Sequence, residues 1–265
     1  MHRVERLVRV LTSPREVFDE IRERPSILLP LICILIAGGV WAAVQAYNVD
    51  EAIYALEAKA QNELGQVFST ILGGDVDQLE EKAQDLEEIE ELTRRVAEGE
   101  TLDVDSLGVS SEDIARVRTN ATAMAPFMSA VGIALVLLLL GTYYFIAARV
   151  VKVEVGWEKW FAFACWAGLP YVVGYIVKIV LVFFGGAKLG NALAPMTWFG
   201  FEGAWAMFLD GPLFWSFFVA IQGFMCWTSK DVRTSAVVVV LPAALAVGLL
   251  CVLEGFSEFA VQSLR

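Results

Sequence analysis

Three polar side chains sit inside long apolar runs, where an ionisable or hydrogen-bonding group is costly and is kept for a reason. Lys178 and Glu254 each fall in the outer part of such a run, and Gln222 falls within another. A lysine and a glutamate facing each other in hydrocarbon can form an ion pair that lowers the cost of both, or can line a polar path for an ion or small solute. Each can also act alone, Lys178 snorkelling to the interface and Glu254 reaching water. Gln222 can hydrogen-bond across neighbouring helices.

Enzymatic chemistry has less to work with. His2 is the single histidine, no glycine-rich loop follows a strand, and no serine or cysteine is placed beside a base. Asp75/Asp77 and Asp103/Asp105 echo two positions of a calcium loop without the remaining ligands. Cys33, Cys165, Cys226 and Cys251 lie in apolar runs at no metal-like spacing and read as small buried hydrophobes. No catalytic residue, cofactor or metal is implied.

The elements that position these residues are membrane spans. Hydrophobic residues make up 57% of the 265-residue chain, well above an ordinary soluble domain. Five apolar runs, at about 25–47, 124–148, 160–184, 211–228 and 236–256, are each long enough to cross a bilayer core as a helix. Pro170 and Pro242 predict kinks in the third and fifth. The first run is too long for a signal-peptide core and lacks a cleavage site, so it reads as retained. Ahead of it, Ser13-Pro14-Arg15-Glu16 has the residue types of a helix start, and Pro25 has the form of another. Val17, Phe18 and Ile21 fall on one face of this lead segment, residues 1–24. Beside Arg15, Arg22 and Arg24 they predict an amphipathic helix lying on the inner leaflet.

Eleven Lys and Arg, namely Arg3, Arg6, Arg9, Arg15, Arg22, Arg24, Arg149, Lys152, Lys159, Lys230 and Arg233, fall on one side of these spans. Only Lys188 and Arg265 flank the other side outside the long loop. The charge bias predicts a cytoplasmic N-terminus and an extracytoplasmic C-terminus. Acidity is confined to residues 48–122, which hold 19 Asp/Glu against 6 Lys/Arg, a net of −13 that leaves +2 for the rest. No concentrated basic face exists, which argues against a nucleic-acid partner. Within this loop Val49, Ile53, Leu56, Leu64, Val67, Phe68, Ile71 and Leu72 suit one amphipathic helix, and Gly73-Gly74 breaks it. A second helix carries the dense carboxylate face "EEKAQDLEEIEE", and Ser110 to Asp113 can cap a third that runs into the second span. Near 185–212, Trp198 and Trp205 mark an aromatic segment suited to the headgroup zone or to a partner.

The phrases at the span edges, "SPREVFDEIRERPSILLPLI", "WEKWFAFACWAGLPYVVGYIV" and "FWSFFVAIQGFMCWTSKDVRTSAVVVVLP", resemble the bacterial branch of the Ypt-interacting-protein (YIP-domain) family. The resemblance covers most of the chain apart from 48–122. It implies an amphipathic lead helix, five spanning helices and a non-enzymatic accessory or scaffold role in membrane transport or envelope assembly, for example beside an ABC-type exporter. Eukaryotic members differ in carrying a long cytosolic N-terminal region and short lumenal loops, so binding of Rab-type GTPases does not carry over.

The expected fold is all-α: a polytopic inner-membrane protein with a lead segment (1–24), a first span (25–47), an acidic helical extracytoplasmic module (48–122) and a bundle of four further spans (123–265). Its expected partners are the lipid bilayer and a membrane or envelope protein, with self-association left open. A transporter or channel with Lys178, Glu254 and Gln222 along a polar path is the alternative.

Overall fold

The structure is a computed structural model that describes residues 3–73, 77–97, 100–185, 193–198 and 209–263. Among these it is helical, with one 3₁₀ turn at Val104–Leu107. In chain order the helices are α1 (Arg3–Thr12), α2 (Pro14–Glu23), α3 (Leu28–Tyr47), α4 (Glu51–Gly73), α5 (Asp77–Ala97), α6 (Ser111–Val150), α7 (Trp157–Ala167), α8 (Pro170–Gly185), α9 (Pro195–Trp198), α10 (Gly211–Thr228) and α11 (Val232–Ser263). They fall into two compact units, one of residues 1–41 with 126–265 and one of residues 42–125.

Four stretches are long and apolar enough to cross a membrane: Leu28–Tyr47, Ser111–Val150, Trp157–Gly185 and Val232–Leu253. Their outward faces carry large apolar side chains in the open, among them Leu139 at 65%, Leu245 at 65% and Phe184 at 87% exposure. Such a surface needs hydrocarbon as its solvent. The expected fourth span coincides with α10, but α10 is not among these four. It carries Ser216 and Gln222, and one side of it is buried by α2, α7, α8 and α11. It is the helix on which the first unit is assembled.

The third apolar stretch is two helices rather than one kinked span. Gly168 ends α7 by returning its N–H to Ala164 O, and Pro170, which has no N–H to give, opens α8. The turn between them is held by shorter bonds, Tyr171 N–H to Gly168 O and Val172 N–H to Leu169 O. The first span also starts later than Pro25 predicts. The carbonyl of Ser26 accepts from the Trp166 indole at 2.7 Å, and α3 begins only at Leu28 with Pro30 inside its first turn. Ser13 flanks α2 as expected, without a side-chain capping bond.

The lead segment folds as a hairpin of α1 and α2, tied by Arg6–Glu20 at 2.9 Å and Arg9–Glu20 at 3.2 Å. Its apolar face is not presented to lipid, where the sequence places it. Val17, Phe18 and Ile21 are 0% exposed and pack into the bundle. The reason is a competing surface: Phe163 and Trp227 meet Phe18 with ring centroids 4.8 and 6.2 Å away, and the Trp227 indole donates to Phe18 O at 2.8 Å. Trp160 and Tyr144 extend the same stack. Gly223 of α10 permits the approach, since a Cβ there would lie 2.6 Å from the Phe18 ring and 2.8 Å from that of Phe163.

The second unit is held by fewer apolar groups. Tyr54, Ala55, Leu56 and Ala58 of α4 form a buried cluster with Leu107, Ile114 and Val117. Tyr54 Oη donates to the carbonyl of Ala46. Arg118 lies over the Tyr47 ring and donates to its carbonyl at 2.8 Å. Ser110 caps α6 as its position predicts, accepting from Asp113 N–H at 3.1 Å and donating to the Asp113 carboxylate at 2.7 Å.

Candidate functional site

Beyond the aromatic stack the first unit is hollow. A cavity of about 580 Å³ lies between α3, α6, α7, α8, α10 and α11. Its floor is Tyr144 and Val239, its walls are mostly apolar, and Lys178 and Asp210 close the other end. Asp210 sits where the chain turns into α10 and is held twice. One carboxylate oxygen accepts from Leu213 N–H at 2.9 Å, capping the helix, and the other accepts from Lys178 Nζ at 2.7 Å. Asp210 is 4% exposed. The Lys178 ammonium also lies 5.9 Å from the centre of the Trp41 ring.

This geometry answers the question raised by the buried lysine. Its partner among the described residues is Asp210; the Glu254 side chain lies outside them. The signal for Asp210 was available, because Asp-Gly-Pro immediately before an apolar run is a helix-start pattern that places a carboxylate at the N-cap. Pairing could not be read from it, since α8 and α10 are 32 residues apart at this contact. Gln222 is also engaged by protein: its Oε1 accepts from Arg15 Nε of the lead hairpin at 2.6 Å. Of the aromatic segment, Trp198 closes α9 with its side chain outside the described residues, and Trp205 lies outside them altogether.

The cavity's remaining polar groups are Tyr171, Tyr175 and Ser216. Ser216 Oγ is buried and has no hydrogen-bond partner among the described residues, a condition that costs about 1–3 kcal/mol for a hydroxyl. No base lies on that hydroxyl and the Lys178 Nζ is engaged by Asp210, so the two do not form an activated nucleophile. Among the described residues no group of His, Cys, Asp and Glu could hold a metal ion. Asp103 instead serves its own 3₁₀ turn, accepting from Asp105 N–H at 3.1 Å. Asp75 lies outside the described residues.

In the second unit charged side chains pair locally. The hydrogen bond to Glu63, helped by a second to Asp85, raises the Lys82 pKa. The Arg95 guanidinium, hydrogen-bonded to Glu100, holds that carboxyl below its ordinary range. Glu87, Glu88 and Glu90 of α5 are exposed, while Ile89 between them is 5% exposed and turned inward. The result is a carboxylate-rich helix face over a small apolar seam.

No curated protein and no solved structure matches the chain significantly. A family model does: the Yip1 domain, over residues 8–253. That match runs from α1 through the lipid-facing part of α11 and takes in both the docked lead hairpin and the cavity. This helical membrane protein therefore belongs to the Yip1 domain family.

Proposed function

We propose that the protein is a non-enzymatic accessory or scaffold protein of the inner membrane, in which the bundle anchors the acidic helical unit as a docking surface for a membrane or envelope protein. It would serve membrane transport or envelope assembly, with an ABC-type exporter one fitting neighbour. The observation that carries this reading is the division of polar groups between the two units. Inside the bundle Lys178 and Gln222 are engaged by Asp210 and Arg15, which leaves little to line a path for ions. In the second unit the Glu87 and Glu90 carboxylates of α5 are exposed, where a partner can meet them. In this arrangement α10 is the fourth of five spans. The N-terminus and the basic ends lie in the cytoplasm, and the acidic unit and the C-terminus lie outside.

The test is removal. Replacing residues 52–110 with a short Gly/Ser linker leaves the spans inserted, because their apolar runs and charge bias are untouched. It abolishes capture of the partner from mild detergent together with the cellular phenotype. A transporter or channel is the second reading, favoured by the cavity itself. It requires the opposite outcome: a mild loop deletion, and loss of activity on joint Lys178→Met and Asp210→Asn.

A further inference from the structure

The cavity has a shape, a mouth and one unsatisfied group, and together they specify an occupant. From Gly132 to Tyr144 along α6 it extends about 18 Å. The centre of a water-sized sphere has 580 Å³ to move in, a bore about 6 Å across over that length, so the walls stand about 9 Å apart. A packed helix with its side chains is about 10–12 Å across and does not fit. A single hydrocarbon chain does.

The mouth lies between α6 and α11. These helices meet near the floor, where Tyr143 Oη donates to Val238 O at 2.7 Å. Further along, Val136 of α6 is both a lining residue and 55% exposed, and Ala243 and Ala246 of α11 face the same space. A Cβ added at Gly132 would meet nothing within 4 Å. Only 6% of the apolar window of either helix is buried by protein, so the opening faces the hydrocarbon of the bilayer rather than water.

At the far end the Lys178–Asp210 pair is neutral as a whole but polar. It offers an ammonium to a phosphate and a carboxylate to an amine. Ser216 lies six residues, about 9 Å, along α10 from Asp210. It is 9% exposed and its hydroxyl has no hydrogen-bond partner among the described residues. A donor left at this depth matches the ester carbonyl of a lipid whose headgroup reaches the ion pair.

We propose that this cavity is a binding site for one zwitterionic glycerophospholipid, which enters sideways between α6 and α11 with its headgroup at Lys178 and Asp210, an ester carbonyl at Ser216 and one acyl chain along the channel to Tyr144. The full chain is reconstituted in vesicles of phosphatidylethanolamine and phosphatidylglycerol, extracted in mild detergent, and its retained lipid is counted by native mass spectrometry. The expected result is one phosphatidylethanolamine per chain. Gly132→Leu narrows the mouth and lowers retention about tenfold, as for one or two lost methylene contacts. Ser216→Ala lowers it by a smaller factor while leaving the melting temperature unchanged or higher. Gly132→Leu adds its side chain to open space, so an unchanged melting curve certifies its fold; Ala246→Phe blocks the opposite wall as a second variant. Equal lipid retention by the wild type and both blocking variants overturns the proposal. So does retention of free fatty acid alone, or crosslinking of two copies of the chain across the mouth through Gly132→Cys.

Discussion

The two ends of the first unit are built on the same helix and filled in opposite ways. At one end of α10, Gly223 lets the Phe18 ring sit against the backbone, and Phe163, Trp160 and Trp227 leave no space. At the other, α10 begins at an ion pair and borders a hollow lined by Ser216, Leu213 and Ala220. An apolar run can therefore build either a core or a container. Which one results depends on whether aromatic rings from distant segments converge on it. Dense packing fixes the lead hairpin in place, whereas open volume next to lipid is where exchange with the surroundings can happen.

Breaking the solid end has the largest expected effect. Phe18→Ala removes a fully buried ring and leaves its neighbours facing a void, which lowers stability by about 3–5 kcal/mol. Unfolding followed by tryptophan fluorescence in detergent reports it through Trp160 and Trp227, and a loss under about 1 kcal/mol would show that the hairpin is not docked as described. Gly223→Val tests the same contact from the other partner. It forces rings and backbone apart and lowers stability by about 1–3 kcal/mol, while a valine at Gly132, with nothing in reach at the hollow end, stays within about 0.5 kcal/mol. The contrast between two glycines of one unit is the sharpest form of the comparison.

At the hollow end the ion pair carries the next effect. Asp210→Ala removes both the cap of α10 and the partner of Lys178, and lowers stability by about 2 kcal/mol. Pairing Asp210→Asn with Lys178→Met removes both charges and largely restores it, because no unpaired ion remains. A double variant as unstable as Asp210→Ala would mean that the charges themselves, rather than their balance, hold this end together.

The smallest effect lies in the acidic unit. Glu100 is held below its ordinary range by Arg95, so this pair adds stability above the ordinary glutamate range and loses it as pH falls through the lowered value. The wild type should exceed Glu100→Gln slightly at neutral pH, and the two should converge in acid. A difference that grows on acidification would reverse the sign and exclude the pairing.

Local chemistry made much of this molecule legible in advance. Ser110 and Asp113 announce the start of α6, Gly73 ends α4, and the apolar runs coincide with α3, α10 and much of α11. What the chain did not disclose depends on which segments meet. Val17, Phe18 and Ile21 form an apolar stripe that suits lipid and aromatic protein surface equally well, and only the convergence of α7 and α10 decides between them. Lys178 advertised a need for a counter-charge without naming it. The hollow left no sequence signal at all, because small residues such as Gly132, Ala243 and Ala246 look the same whether a neighbour fills the space beside them or not.

The lead hairpin also has a history during synthesis. Trp227 follows Phe18 by 209 residues, so at roughly 5–20 residues per second its docking surface emerges on the order of 10–40 s later. Phe163 emerges within that interval and Trp227 at its end, so until then the cover of Val17, Phe18 and Ile21 is incomplete. The hairpin thus reaches its final packing only after α10 has been made, with α11 still to follow.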